Sequence, residues 1–253
     1  MRKTKIGNKS KEDWILDILK VIVLSIVTII TVYPFWNIFI ISINDATDAI
    51  RGGLYFLPRK LSFSSYLEIL TKKTFLSSIK VSVARTVIGT PIAVLVTSML
   101  AYALSRRDLV GRKFWNLLFI FTMYFSGGMI PDYILINKLG MLESLPALIL
   151  PLAFSAYNLV IMKNALESGI PDSLVESAVI DGANHYTILG KIVLPLSKPI
   201  MATLTLFYAV GRWNTYSDAM FYIKQNVSLR PLQLKLYYLI VAATESIQGS
   251  VND

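Results

Sequence analysis

One run limits what this chain can become more than any other: Ile18–Ile43, "ILKVIVLSIVTIITVYPFWNIFIISI", which carries a single charge, Lys20. A helix rises about 1.5 Å per residue, so about 20 apolar residues cross the hydrocarbon core of a bilayer. A soluble bundle would need a polar stripe along each helix, and this run has none. A secretory leader has an apolar region of roughly 7–15 residues and a small-residue cleavage site. The present run is longer, lacks that site, and reads as a retained anchor. Pro34 is expected to kink it, and Tyr33 and Trp36 suit a membrane interface.

Further apolar runs predict spans at about Val81–Leu104, Phe114–Met129, Ala147–Met162 and Ile200–Phe221. The fold class is therefore an all-α integral membrane protein with five spans. Residues 1–17 form a basic tail, and residues 18–253 a transmembrane domain. The second span is rich in small residues ("GTPIAVLVTSMLAYAL"), which lets helices approach closely. "SGGMIPDY" breaks the chain after the third span. Beyond Phe221 the apolar stretch within "QLKLYYLIVAATES" is too short to cross, so no sixth span is expected before Asp253.

Orientation follows the placement of Lys and Arg, with the first span dominant. Five basic residues lie in the first eleven positions, which puts the N-terminus on the cytoplasmic side. Alternation then places "SRRDLVGRK" and residues 167–199 inside as well. The Asn44–Lys80 connection carries six basic residues outside and pulls the other way. The net charge of +9 suits an anionic membrane face rather than nucleic acid. With no cysteine and one histidine, His185, neither a thiolate site nor a multi-histidine metal site can form. A Ser-His-acid centre would need His185, no G-x-S-x-G accompanies it, and a plain exposed histidine is expected. The absence of G-x-x-x-x-G-K-[ST] leaves no phosphate cradle of that type.

Between the fourth and fifth spans the chain turns polar: "PDSLVESAVIDGANHYTILGKIVLPLSKP", Pro171–Pro199. Pro171 and Asp172 fit a helix start. Leu174, Val175, Ala178 and Val179 make one apolar stripe, with Asp172, Ser173 and Glu176 off it. Gly182 can end the helix by taking positive φ, and Asn184 can cap a second helix. Leu189, Ile192 and Val193 give that helix its apolar face, and Pro195 is expected to stop it. Two short helices are marginal alone, so they need a surface. A groove in another protein is one reading; an interfacial hairpin on lipid is the other, although its acids fit lipid poorly.

This segment closely resembles the EAA loop of ABC importer permeases, whose pattern is E-A-A, three residues, G, nine residues, I-x-L-P. Glu176, Ser177 and Ala178 match with serine for the middle alanine. Gly182, Ile192, Leu194 and Pro195 fall at the pattern's spacing, and Asp181-Gly182-Ala183 matches the sugar-importer version. "GGLYFLP", "AYALSRRDLVGRKF", "YFSGGMIPDYILI" and "ATLTLFYAVGRWNTYSDAM" extend the likeness from about Ile18 to the C-terminus. It points to the lipoprotein- and polygalacturonate-type sugar permeases within the binding-protein-dependent carbohydrate-uptake branch.

The resemblance implies a type I ABC importer permease bundle with a cytoplasmic helix-turn-helix. It implies a second permease subunit, a different chain, and two cytoplasmic ATPase subunits that carry ATP and Mg. It also implies an external sugar-binding protein. Glu176 would contact the ATPase, Gly182 would form the turn, and Ile192, Leu194 and Pro195 would seat the second helix. The family has a sixth span that this sequence does not reach. Arg212, Trp213 and Asn214, with Tyr124 and Tyr208 as weaker candidates, could face the sugar path; an aromatic and an arginine at an interface also need no ligand. Arg85, near the outer end of its span, is expected to snorkel. A membrane enzyme acting on a lipid-linked sugar, a permease for another solute and a secondary transporter are the competing readings.

Overall fold

The computed structural model describes residues 11–53 and 56–252, with side chains for 13–53 and 56–245. Residues 1–10 of the basic tail, Leu54 and Tyr55 of "GGLYFLP", and Asp253 lie outside the described residues. The chain divides into two compact units, residues 1–72 and 73–253.

The first unit is built on α1, Lys11–Ser42, which continues through Pro34. Two of its hydroxyls turn back onto the helix: Thr28 and Thr31 each donate to the carbonyl four residues back, Leu24 and Val27, at 2.7 Å. The side chains exposed around α1 are almost all apolar. Two short helices follow, α2 (Ala46–Ala49) and α3 (Ser64–Thr71). Asn44 and Leu61 form an antiparallel bridge. Asn44, 2% exposed, donates to Asp48 at 2.9 Å and accepts the Lys60 N–H at 2.8 Å. The segment that reads in sequence as a polar connection is thus a folded cap.

The second unit is organised around α4, Lys73–Ser105. Small and hydroxylated residues, among them Gly89, Ala93, Thr97 and Ala101, are buried along it, and they allow its neighbours to pack closely. It packs against α7 (Leu145–Ile149), α8 (Ala156–Gly169), α12 (Lys198–Asn214) and α14 (Leu232–Asn252). Two apolar cores form, one toward each end of α4. The first joins Ala101, Tyr102 and Leu104 to Leu159, Met162, Val175, Ile188 and Leu204. The second joins Val81 to Leu148, Ala219, Ile223 and Leu234.

At "SGGMIPDY", α5 (Arg112–Tyr124) and α6 (Met129–Lys138) meet at 111°, where Gly128 takes φ +86°. Two spans that read as continuous in sequence are also broken. The region expected as Ala147–Met162 divides into α7 and α8 around residues 150–155. The region expected as Ile200–Phe221 divides into α12 and α13 (Ser217–Tyr222). α14 is 21 residues long, although only its first half is strongly apolar. Among the described residues, α1 and α4 can each cross a membrane alone by length and composition, and up to four helices or bent pairs can do so. Glu143, at φ +58°, fastens two loops together: its carboxylate accepts the backbone N–H groups of Lys224, Gln225 and Asn226 at 2.7–3.0 Å.

Candidate functional site

The polar segment after α8 folds as a helical hairpin. Pro171 occupies the cap position and α9 runs Asp172–Ile180, so the proline stands one place earlier than its preference for the first turn suggests. Asp172 pairs with Arg107 at 3.0 Å and Arg106 at 4.0 Å, which ties the hairpin to the loop after α4. Gly182 takes φ +81°. The Gly182 N–H reaches Val179 O and the Ala183 N–H reaches Ala178 O, both at 2.9 Å. That pair of bonds is a Schellman ending, and it satisfies carbonyls the helix would leave open. Asn184 then accepts the Thr187 N–H at 2.8 Å, capping α10 (His185–Ile188).

Pro195 does not stop this helix. α10 continues through a π-type turn, Leu189–Val193, into α11 (Leu194–Leu196). Leu194 keeps helical angles despite the following proline. The wider turn, and the end of the helix at Leu196, reduce the clash that normally excludes this arrangement. The hairpin closes at Ser197, where an 85° bend leads into α12.

The hairpin divides its apolar residues between two surfaces. Val175, Ala178, Ile188 and Val193 are buried in the core of the second unit, and Ala183 and Ile192 pack against it. Leu174, Val179, Ile180 and Tyr186 stay exposed, Ile180 at 85%. The stripe of four expected from spacing is therefore split: half faces inward and Leu174 and Val179 face out. Glu176, Ser177 and Asp181 are exposed beside them, Leu194 is half-buried and Pro195 exposed. A cleft of about 560 Å³ opens here, lined by Arg106, Asp108, Asp172, Glu176, Val179 and Ile180 among others. His185, exposed as expected, also meets the Tyr102 hydroxyl through Nδ1 at 3.1 Å. An apolar centre with a charged rim suits docking of a complementary protein surface. The described residues include no cluster of three metal-ligating side chains.

The five residues considered for a sugar path do not share one environment. Tyr208 is buried and its hydroxyl lies 2.6 Å from that of Thr97. Arg212 is 2% exposed and donates to the carbonyls of Ile149 at 3.2 Å and Leu152 at 2.7 Å. Tyr124, Trp213 and Asn214 are exposed, on α5 and at the end of α12. Arg85 does not snorkel. It is fully buried, pairs with Asp218 at 2.8 Å and donates to Thr215 O at 3.1 Å. The breaks after α7 and α12 expose carbonyls inside the bundle, and each arginine supplies the donors those carbonyls need. Sequence reasoning missed this pairing. The available signals were an arginine within each apolar run, Arg85 and Arg212, and a glycine, Gly89, whose missing side chain leaves room for Arg212.

Comparison with known proteins gives a consistent result. A family described as "Binding-protein-dependent transport system inner membrane component" matches residues 13–247. The Bacillus subtilis polygalacturonan/rhamnogalacturonan transport system permease protein YtcP is 42% identical over 225 residues, 89% of this chain and 78% of that protein. Protein LplC of the same organism is 39% identical over 238 residues, 93% of this chain and 77% of that one. A solved bacterial ABC transporter involved in import of the acidic polysaccharide alginate superposes with a TM-score of 0.86 at 35% identity, covering 93% of this chain and 84% of the matched chain.

Proposed function

Because the chain belongs to the family of binding-protein-dependent transport system inner membrane components, we propose that it is the permease subunit of an ATP-driven sugar importer, working through the hairpin at residues 171–197. The observation that carries this reading is the hairpin's divided apolar surface. Val175 and Ala178 anchor it to the bundle, while Leu174, Val179 and Ile180 remain open within a charged rim. A surface both anchored and unsatisfied can transmit force from a partner that grips it.

In this reading the hairpin and the N-terminus face the cytoplasm, and the partner is an ATPase subunit. One such subunit would hold this hairpin and a second would hold that of a partner permease, a different chain. ATP and Mg would reside on those subunits and supply the energy. Glu176 and Asp181 would set the docking register by charge, and Leu174, Val179 and Ile180 would fill the groove. Gly182 and Ala183 would hold the turn. Ile192, Leu194 and Pro195 would pass the motion to α12. An external binding protein would deliver an oligosaccharide. The relatives' names make uronate-containing fragments the first to test.

Co-expression with the candidate ATPase and partner permease tests this. Glu176→Lys and Gly182→Pro should each abolish co-purification of the ATPase while the chain still enters the membrane. Unchanged co-purification would overturn the reading. Sugar uptake that persists without any ATPase would favour a secondary transporter. A changed lipid-linked sugar with no uptake would favour an enzyme.

A further inference from the structure

We propose that Arg212 is a positioning residue for the transport cycle: it ties the far end of α12 to the α7–α8 break, so that movement of the hairpin reaches that break. This rests on the permease reading given above.

Three observations carry it. First, α12 starts at Lys198, directly after the hairpin, and runs 17 residues to Asn214, about 25 Å at helical rise. One rigid element therefore has the hairpin at one end and Arg212 in its last turn. Second, the Arg212 fork reaches two carbonyls that α7 and the break leave open, those of Ile149 and Leu152. A planar guanidinium can hold both at once, whereas a lysine ammonium is a point donor on a flexible stem. Third, the space is shaped for it. A Cβ on Gly89 of α4 would overlap the Arg212 guanidinium, so the glycine is what lets the arginine lie across α4 to the break.

Stability alone is a weak reason for this arrangement. Arg212 is almost fully buried, its described hydrogen-bond partners are carbonyls rather than a carboxylate, and its Nε has no partner among the described residues. A buried cation held in this way is expensive in an apolar bundle. An arginine carried at that cost, at the junction of three elements, fits a coupling strut better than a core filler.

The chain has no cysteine, so a single thiol can report on the break. Leu150→Cys places it on the exposed Leu150 within that break. Its maleimide labelling rate would be measured in the assembled complex, without nucleotide and after trapping with ATP and vanadate. The rate should differ between the two states by about fivefold or more, the ordinary range for coupled sites. Arg212→Lys should retain the ATPase and abolish that difference, and Gly89→Ala, by displacing the guanidinium, should shrink it. The proposal is overturned if the parent complex shows no state dependence. It is also overturned if the difference survives Arg212→Lys, or if Arg212→Lys and Gly89→Ala both prevent assembly, since the arginine would then be structural. Failure of the unaltered chain to retain an ATPase would overturn the functional reading itself, and this proposal with it.

Discussion

The two ends of α12 solve opposite problems. At its start the hairpin leaves apolar side chains uncovered, with Ile180 85% exposed. At its finish the bundle takes in two whole arginines, Arg85 and Arg212, and uses their donors on backbone breaks. The first end leaves its apolar surface open to a partner; the second turns its charges inward onto the chain's own backbone. The difference teaches where the chain can tolerate change. Removing a whole buried donor at the finished end should act on folding, and changing an exposed apolar side chain at the unfinished end on association.

The largest effect that tests this contrast is Arg85→Met. It leaves Asp218 and the Thr215 carbonyl without their donor, and removing one partner of a buried pair costs about 3–5 kcal/mol. Thermal unfolding in detergent should show a marked drop in midpoint; an unchanged midpoint would mean the break after α12 does not depend on this arginine. Gly182→Ala should cost about 1–2 kcal/mol, because its φ of +81° is a conformation that strains an L side chain. The same thermal measurement should place it clearly below Arg85→Met.

Glu143 supplies a pH test at the finished end. The N–H groups of Asn226 and Gln225, then that of Lys224, with a smaller contribution from Arg230, hold its carboxyl below the ordinary glutamate value against the opposing effect of burial. A lowered folded pKa means that its contribution is fully present above the unfolded value of about 4.3 and is lost as pH falls through the folded pKa. Stability of the unaltered chain should therefore fall in that acidic window, and Glu143→Gln should flatten this part of the profile. A profile identical in the two proteins would remove Glu143 from the account.

The smallest effect on stability should come from Ile180→Asp. Exposed substitutions away from special features stay within about 0.5 kcal/mol, so the unfolding midpoint should hold while ATPase co-purification is lost. A variant that unfolds, or one that still binds, would erase the distinction between the two ends.

Much of the hairpin was legible in the sequence because its signals are local. Gly182 and Asn184 act within a few residues of themselves, and both take the roles their chemistry suggests. Pro195 was misread because a proline's effect on the preceding turn depends on whether that turn can widen, and here a π-type turn absorbs it. The stripe of Leu174, Val175, Ala178 and Val179 was visible as periodicity, but spacing cannot say which half of a stripe the core will cover.

Sequence by itself determined that the chain is helical and membrane-embedded, because apolar runs of that length have no other low-energy home for their backbone groups. It also determined where the hairpin lies and how its turn is made. Only the tertiary structure decided what Arg85 and Arg212 do. Their partners, Asp218 and the carbonyls of Thr215, Ile149 and Leu152, lie more than fifty residues away along the chain, and those carbonyls lack a helical donor only because the helices break there. Residue type marks a charge as costly in a bilayer; the fold alone settles whether that cost is relieved at the surface or within.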